Sequence, residues 1–177
     1  MTVSGLLRPT AFIPHIEDIS VPELVADGVR GIMVDLDNTL VGFRATTPTD
    51  AVVAWLASAR TAGIATCVVT NNGTAWAREV ARTLNVPIVA NARKPLGRGF
   101  RRGLAFLNLD RSAVVVIGDQ LFTDVLGAKL FGLRVVLVDP LVRRDPLNTL
   151  PLRLLERWLL RDLPRTNDDL ADRNLES

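Results

Sequence analysis

The chain has 177 residues, 48% of them hydrophobic and 23% charged, which suits one globular domain with a sizeable core. No stretch approaches ~18 uninterrupted apolar residues, so no membrane-spanning helix is expected. A net charge of +2, with basic residues scattered and no interleaved aromatics, leaves nucleic acid outside the expected partners.

The start, Met1 to Pro9, has neither the basic region nor the apolar length of a secretory signal, and a cytoplasmic location is expected. A single cysteine, Cys67, excludes both a disulfide framework and a thiolate metal cluster. Only two lysines, Lys94 and Lys129, stand among 21 basic residues, so each is notable.

Residues 1–30 hold Pro9, Pro14 and Pro22 and a weakly helical piece over 21–26, read as a lead-in packed on the first strand. That strand, over residues 31–36, is apolar until it ends in Asp35 and Asp37. Spaced i, i+2, these two carboxylates share a face if the strand continues. Thr47 and Pro48 read as an N-cap and first helical residue, followed by a helix over 51–62 closed by Gly63.

A β-branched run over 64–69 predicts the second strand, ending in Thr70-Asn71-Asn72-Gly73. A helix over 76–84 and a brief third strand over 88–90 follow. Asn91-Ala92-Arg93-Lys94-Pro95 then breaks into a helix over 99–107. The fourth strand, over 113–117, ends in Gly118-Asp119-Gln120; a helix over 122–131 and a fifth strand over 134–138 complete the alternation.

Strands alternating with helices predict an α/β fold, a doubly wound parallel sheet within one domain over 1–165. Residues 150–163 form an amphipathic helical pattern with Arg153, Arg157 and Arg161 at i, i+4 steps, a candidate peripheral membrane contact. The polar, acidic stretch 166–177 reads as a disordered tail.

In such sheets ligands bind at the carboxyl ends of strands. Asp35/Asp37, Thr70/Asn71, Lys94 and Asp119/Asp124 follow or adjoin apolar runs and are expected at that edge. Paired carboxylates call for a hard cation or for one carboxyl kept protonated beside an ionised neighbour. Phosphoryl transfer uses a nucleophile, charges for the equatorial oxygens, a leaving-group acid and usually a divalent metal. Asp35 and Asp119 would supply charge to Mg²⁺, with Asp124 placed to orient Asp119 or a bound water. The Thr70 hydroxyl, backbone N–H groups at Asn71 and Asn72, and the Lys94 ammonium would hold phosphate.

Two competing motifs fail on the residues. A calcium loop starting at Asp35 would want Gly where Leu40 stands and Glu where Thr46 stands. A dinucleotide loop at Gly97, Gly99 and Gly103 has the wrong spacing and no strand before it.

Asp35-Leu36-Asp37-Asn38-Thr39, Val68-Val69-Thr70-Asn71, Lys94-Pro95 and Gly118-Asp119-Gln120-Leu121-Phe122-Thr123-Asp124 resemble, in order, the four motifs of the haloacid dehalogenase superfamily of phosphatases. Over about residues 6–160 the chain more closely resembles the YqeG branch of that superfamily, which includes phosphatidylglycerophosphate phosphatases. The resemblance implies Asp35 as the nucleophile that becomes an aspartyl-phosphate and Asp37 as the acid and base. It also implies Mg²⁺ bound by Asp35, Asp119 and the Asp37 backbone carbonyl, with Thr70, Asn71 and Lys94 on the phosphoryl group. After the first motif this chain has Val41-Gly42-Phe43-Arg44 where the branch often carries an aromatic-rich stretch.

Thirty residues separate Thr39 from Thr70, and 23 separate Thr70 from Lys94. Neither gap holds a cap domain, so the site is expected open to bulky phosphomonoesters. A lipid headgroup, phosphatidylglycerophosphate, is the leading substrate by resemblance. A soluble metabolite or phosphoprotein is the alternative within enzymes, and an inactive phosphate-binding scaffold or receiver-like domain lies outside them. A receiver's acid pair precedes its phosphorylated Asp, whereas here the second acidic set follows Lys94.

Overall fold

In the computed structural model, residues 3–42 and 45–142 are described. Six parallel strands form one sheet: β1 (Ala11–Ile13), β2 (Gly31–Val34), β3 (Ala65–Val69), β4 (Ile88–Val89), β5 (Val114–Gly118) and β6 (Arg134–Val138); two short helices, α1 (Val3–Leu6) and α2 (Val21–Ala26), lie on either side of β1 in the chain. Their order across the sheet is β1-β6-β5-β2-β3-β4. The chain builds outward from β2 through β3 to β4, then crosses to β5 on the other side. The switch in direction therefore falls between β2 and β5, where ligand crevices form in such sheets.

Strand residues alternate between two cores, as the two-residue period of a strand requires. Ile32, Val34, Val68, Val115, Ile117, Val136 and Val138 face one side, packed with Trp55 and Leu56 of α3 (Asp50–Thr61) and Ala77 and Val80 of α4 (Ala75–Thr83). Met33, Cys67, Val69, Val114, Val116, Val135 and Leu137 face the other, with Phe100 of α5 (Arg98–Leu107) and Ala128 of α6 (Leu126–Leu130). Both faces of the sheet are buried, which explains why its strands read as continuous apolar runs. The expected doubly wound parallel α/β sheet is what forms.

The lead-in is where expectation and structure part. Ile16, Ile19, Val21, Leu24 and Val29 do join the core on the α3 side of the sheet, where Trp55 Nε1 of α3 donates to Ile19 O at 2.7 Å. Ala11–Ile13, however, is a sixth strand on the sheet's edge, in register with Val136–Val138. A strand of three residues, within the four that separate Pro9 from Pro14, is too short to show a period, and it is held chiefly by backbone bonds to β6.

The cap of α3 is Thr49, whose hydroxyl accepts from Val52 N–H at 3.3 Å, and Thr47 with Pro48 lies before it. Thr74 caps α4 in the same way through Ala77 N–H at 3.3 Å. The predicted helix over 122–131 begins instead as a π-helical turn, Leu121–Val125, that runs into α6. Residues 35–49 join β2 to α3, and between Thr70 and Lys94 the chain forms α4 and β4, so among the described residues neither gap carries a cap. Among the described residues no helix is long and apolar enough to cross a membrane. The amphipathic stretch at 150–163 and the tail at 166–177 lie outside the described residues.

Candidate functional site

Register brings the acidic motifs level. Val34 of β2 pairs with Ile117 of β5, so Asp35, the next residue, stands beside Gly118 with Asp119 just beyond. The Asp35 N–H still bonds to Ile117 O at 2.9 Å, which extends the sheet's pairing into the site. On β2's other flank, Val34 pairs with Val68, and Thr70 follows two residues later.

The π turn delivers the last carboxylate. Gln120 O accepts from both Asp124 N–H (3.0 Å) and Val125 N–H (3.3 Å), the widened turn often found at functional positions. Asp124 is wholly buried, and its Oδ2 accepts from Gln120 N–H at 3.2 Å and Thr123 Oγ1 at 3.4 Å. Carboxylate oxygens of Asp35, Asp119 and Asp124 lie within 4.8 Å of one another. Thr39 Oγ1 donates to Asp119 Oδ1 at 3.3 Å, tying the first acidic motif to the last.

Among the described residues one cation answers this negative charge. The Lys94 ammonium, itself buried, reaches Asp35 Oδ1 at 2.7 Å and Asp124 Oδ1 at 2.6 Å. Burial alone would lower its pKa, but the charges of Asp124 and Asp35 outweigh that and hold it charged above the ordinary lysine range. Burial raises Asp124 to about 6, with Lys94 holding it below where burial alone would take it, so at neutral pH the pair is ionic. Among the described residues Asp119 has no such partner. Burial, then the charges of Asp35 and Asp124, push its carboxyl up to about 7.

Three carboxylates against one ammonium leave an excess of negative charge at a sheet edge rich in oxygen donors. That donor set fits a hard divalent cation such as Mg²⁺, which prefers carboxylate oxygens, backbone carbonyls and water. The carboxylate that completes the cluster is Asp124, expected from the sequence only as an orienting group. The side chain of Asp37, expected at the metal only through its backbone carbonyl, points into a separate hydrogen-bonded group. There Asn72 Nδ2 donates to Asp37 Oδ1 and Oδ2 at 3.3 and 3.2 Å, and Thr70 Oγ1 lies 3.5 Å from Oδ2.

Asn71 is placed differently from a side chain aimed at phosphate. Its Oδ1 accepts from Lys94 N–H at 2.6 Å and its Nδ2 donates to Lys94 O at 3.0 Å, so the amide clamps the lysine's own backbone. The Asn72 N–H, expected among the phosphate donors, donates to Thr70 Oγ1 at 3.0 Å. Of Thr70, Asn71 and Lys94, only Lys94 touches the acidic cluster; Asn71 holds the lysine's backbone, and Thr70 adjoins the Asp37 group. Asn72 and Thr39 were not singled out as site side chains, because Asn and Thr beside a turn have ordinary local roles; Thr39's place in the first motif was the only signal.

The second lysine takes no part in the cluster. Lys129 is half-buried, with Nζ 3.4 Å from Thr10 Oγ1, and burial lowers its pKa. Cys67 lies in the core with its thiol raised to about 11 by burial, which leaves it inert.

The comparisons with known proteins agree with this geometry. The family model for haloacid dehalogenase-like hydrolases matches residues 10–132. A curated Bacillus subtilis protein, "Probable phosphatase YqeG", is 36% identical over 157 residues, covering 89% of this chain and 91% of that protein. Among solved structures, an uncharacterised Listeria monocytogenes protein superposes with a TM-score of 0.55 at 16% identity, covering 75% of this chain and 99% of the other. A 3-deoxy-D-manno-octulosonate 8-phosphate phosphatase from Yersinia pestis superposes at 0.52 with 20% identity, covering 75% of this chain and 72% of that one. At those identities the two structures speak for the fold alone. The family match spans well over half of the chain and the Bacillus relative nearly all of it, so this protein belongs to the haloacid dehalogenase-like hydrolases and is an enzyme of the YqeG branch.

Proposed function

We propose that this hydrolase is a Mg²⁺-dependent phosphomonoesterase that works through a phosphorylated Asp35, with phosphatidylglycerophosphate as its substrate. The observation that carries the reaction is the buried Lys94 ammonium held between Asp35 and Asp124, beside Asp119, at the switch between β2 and β5. Asp35, Asp119 and Asp124 would hold the cation together with the Asp37 carbonyl. When bound, the cation neutralises the phosphoryl oxygens and so favours attack by an anionic carboxylate.

The chain's own groups supply the rest. Lys94 holds Asp35 through Oδ1, which fixes the carboxylate and leaves Oδ2 to attack phosphorus. The bond from phosphorus to the leaving oxygen breaks as the Asp35 bond forms, and Asp37 gives that oxygen its proton. Asp37 then takes a proton from the water that attacks the phosphoryl-aspartate, releasing phosphate and restoring Asp35. Thr70 and the turn after it border the phosphoryl group.

The lipid is supported by the likeness to the YqeG branch and by what rims the site. Among the described residues no cap covers the edge, and Leu96 on the loop after Lys94 and Phe122 on the π turn after Asp119 stand exposed. Arg93 and Arg98 flank Leu96, also exposed, as a basic border suited to an anionic surface. Arg153, Arg157 and Arg161, spaced at i, i+4 steps in the sequence beyond the described residues, would add a peripheral membrane contact.

Phosphate release from phosphatidylglycerophosphate in mixed micelles, measured beside a soluble phosphomonoester, with Mg²⁺ and with chelator, tests this reading. Chelator-sensitive turnover favouring the lipid is the expected result. Turnover of the soluble ester alone would remove the lipid and keep the chemistry. No release from either would favour a phosphate-binding scaffold.

A further inference from the structure

The turn Thr70-Asn71-Asn72-Gly73-Thr74 contains a side-chain relay whose direction is fixed by its donors. Asn72 Oδ1 accepts from Thr74 N–H at 3.0 Å and from Thr74 Oγ1 at 2.7 Å. A backbone N–H can only donate, so the amide oxygen must face Thr74 and the amide nitrogen must face the other way. That other way is Asp37, with Nδ2 3.3 and 3.2 Å from its two carboxylate oxygens. Thr74 is in turn anchored as the N-cap of α4, its Oγ1 also accepting from Ala77 N–H.

Asp37 needs such an anchor. It lies past the end of β2, half-buried, and the backbone turns immediately afterwards at Asn38 with φ of 63°. Its carboxylate is excluded from the Asp35–Lys94–Asp124 ion pairs. Thr70 Oγ1 sits 3.5 Å from Oδ2, at the limit of a hydrogen bond, so Asn72 makes the shorter contacts.

We propose that Asn72 is the positioning residue for the acid/base Asp37, holding its carboxylate against the leaving oxygen through a relay rooted at the start of α4. The proposal rests on the reading of Asp37 as acid and base. When Asp37 has given its proton to the leaving oxygen, the same two N–H contacts meet a full carboxylate and become charge-assisted. The carboxylate is thereby kept in place to take a proton from the attacking water.

Dependence on the leaving group separates positioning of the acid from a general structural role. An alkyl ester, phosphatidylglycerophosphate or glycerol 3-phosphate, requires a proton on its departing oxygen; p-nitrophenyl phosphate does not. The measurement is kcat/KM on both ester types for the parent, Asp37→Asn, Asn72→Ala and Asn72→Asp. Asn72→Ala is expected to raise the ratio of aryl to alkyl kcat/KM by about 10-fold or more, part of the ~10² to 10⁴ that an acid/base supplies. Asn72→Asp keeps the acceptor for Thr74 but turns a carboxylate toward Asp37, so it should show the same selective loss.

A role confined to shaping the turn predicts that Asn72→Asp resembles the parent, and that result would overturn the proposal. So would equal losses on both esters in the two Asn72 variants. If Asp37→Asn shows the selective loss and the Asn72 variants do not, only the relay falls. If Asp37→Asn itself shows no selectivity, the acid/base reading falls and takes the relay with it.

Discussion

At the scale of single residues, the site is organised by how little room surrounds Asp124. A Cβ on Gly118 would collide with the Asp124 carboxyl group, so β5 can approach that buried acid only where the side chain is absent. Gly118→Ala is expected to displace the carboxylate from Lys94 and to destabilise the fold by ~1–3 kcal/mol, as overpacking does. Thermal unfolding together with phosphate release checks this; a variant with parent Tm and parent rate would show that the ion pair tolerates the shift. The residues of this cluster were legible in the sequence because charged groups beside the ends of apolar runs are conspicuous. Asp35, Asp37, Lys94, Asp119 and Asp124 all stood out for that reason, and the structure brings all of them to one edge. The partnerships were not legible. Nothing in Thr70-Asn71-Asn72 says that the first Asn clamps the Lys94 backbone while the second holds Asp37, since both depend on contacts with segments distant in the chain.

At the scale of elements, the Lys94 loop is set by how closely α5 packs on it. A Cβ on Gly99 would lie 2.6 Å from Ala92 Cβ and 2.8 Å from Ala92 O, and backbone cannot swing aside as a long side chain can. Gly99→Ala should therefore push the segment 92–94 outward, costing ~1–3 kcal/mol and lowering turnover by loosening Lys94 from its two acids. Lowered Tm with undiminished turnover would mean that the loop moves without carrying the lysine. Strand and helix types were readable from periodicity, and most boundaries fell within a residue or two. The exceptions have physical causes. β1 is too short for any period, and the cap of α3 passed from Thr47 to Thr49 because Pro48 precedes the cap and is not its first helical residue. The π turn rests on backbone bonds reaching five residues back, Val125 N–H to Gln120 O and Leu126 N–H to Leu121 O, which no residue preference announces.

At the scale of the whole molecule, the unbalanced charge of the cluster couples folding to pH and to the cation. Without a cation the Asp119 carboxyl titrates at about 7 in the folded protein, against 3.8 as its ordinary value. Between these two pH values the unfolded chain binds fewer protons at this group than the folded one. Its contribution to stability therefore falls as pH rises from about 4 to about 7, and is flat above. A divalent cation displaces that proton, so its affinity should drop ~10-fold per pH unit below 7 if one proton is exchanged. Thermal unfolding with and without Mg²⁺ is expected to show a stabilisation that grows from pH 5 to pH 7 and then levels off. A stabilisation independent of pH would place the cation away from Asp119.

The central claim, that Asp35 carries the phosphoryl group, is tested most directly by acid quenching during turnover and mass analysis of the peptide containing residues 31–42. With Mg²⁺ and a phosphomonoester, the parent is expected to gain one phosphoryl group on Asp35, and to gain none with chelator present. Asp35→Asn should neither gain it nor turn over. A phosphoryl group on any other residue, or appreciable turnover by purified Asp35→Asn, would contradict the account.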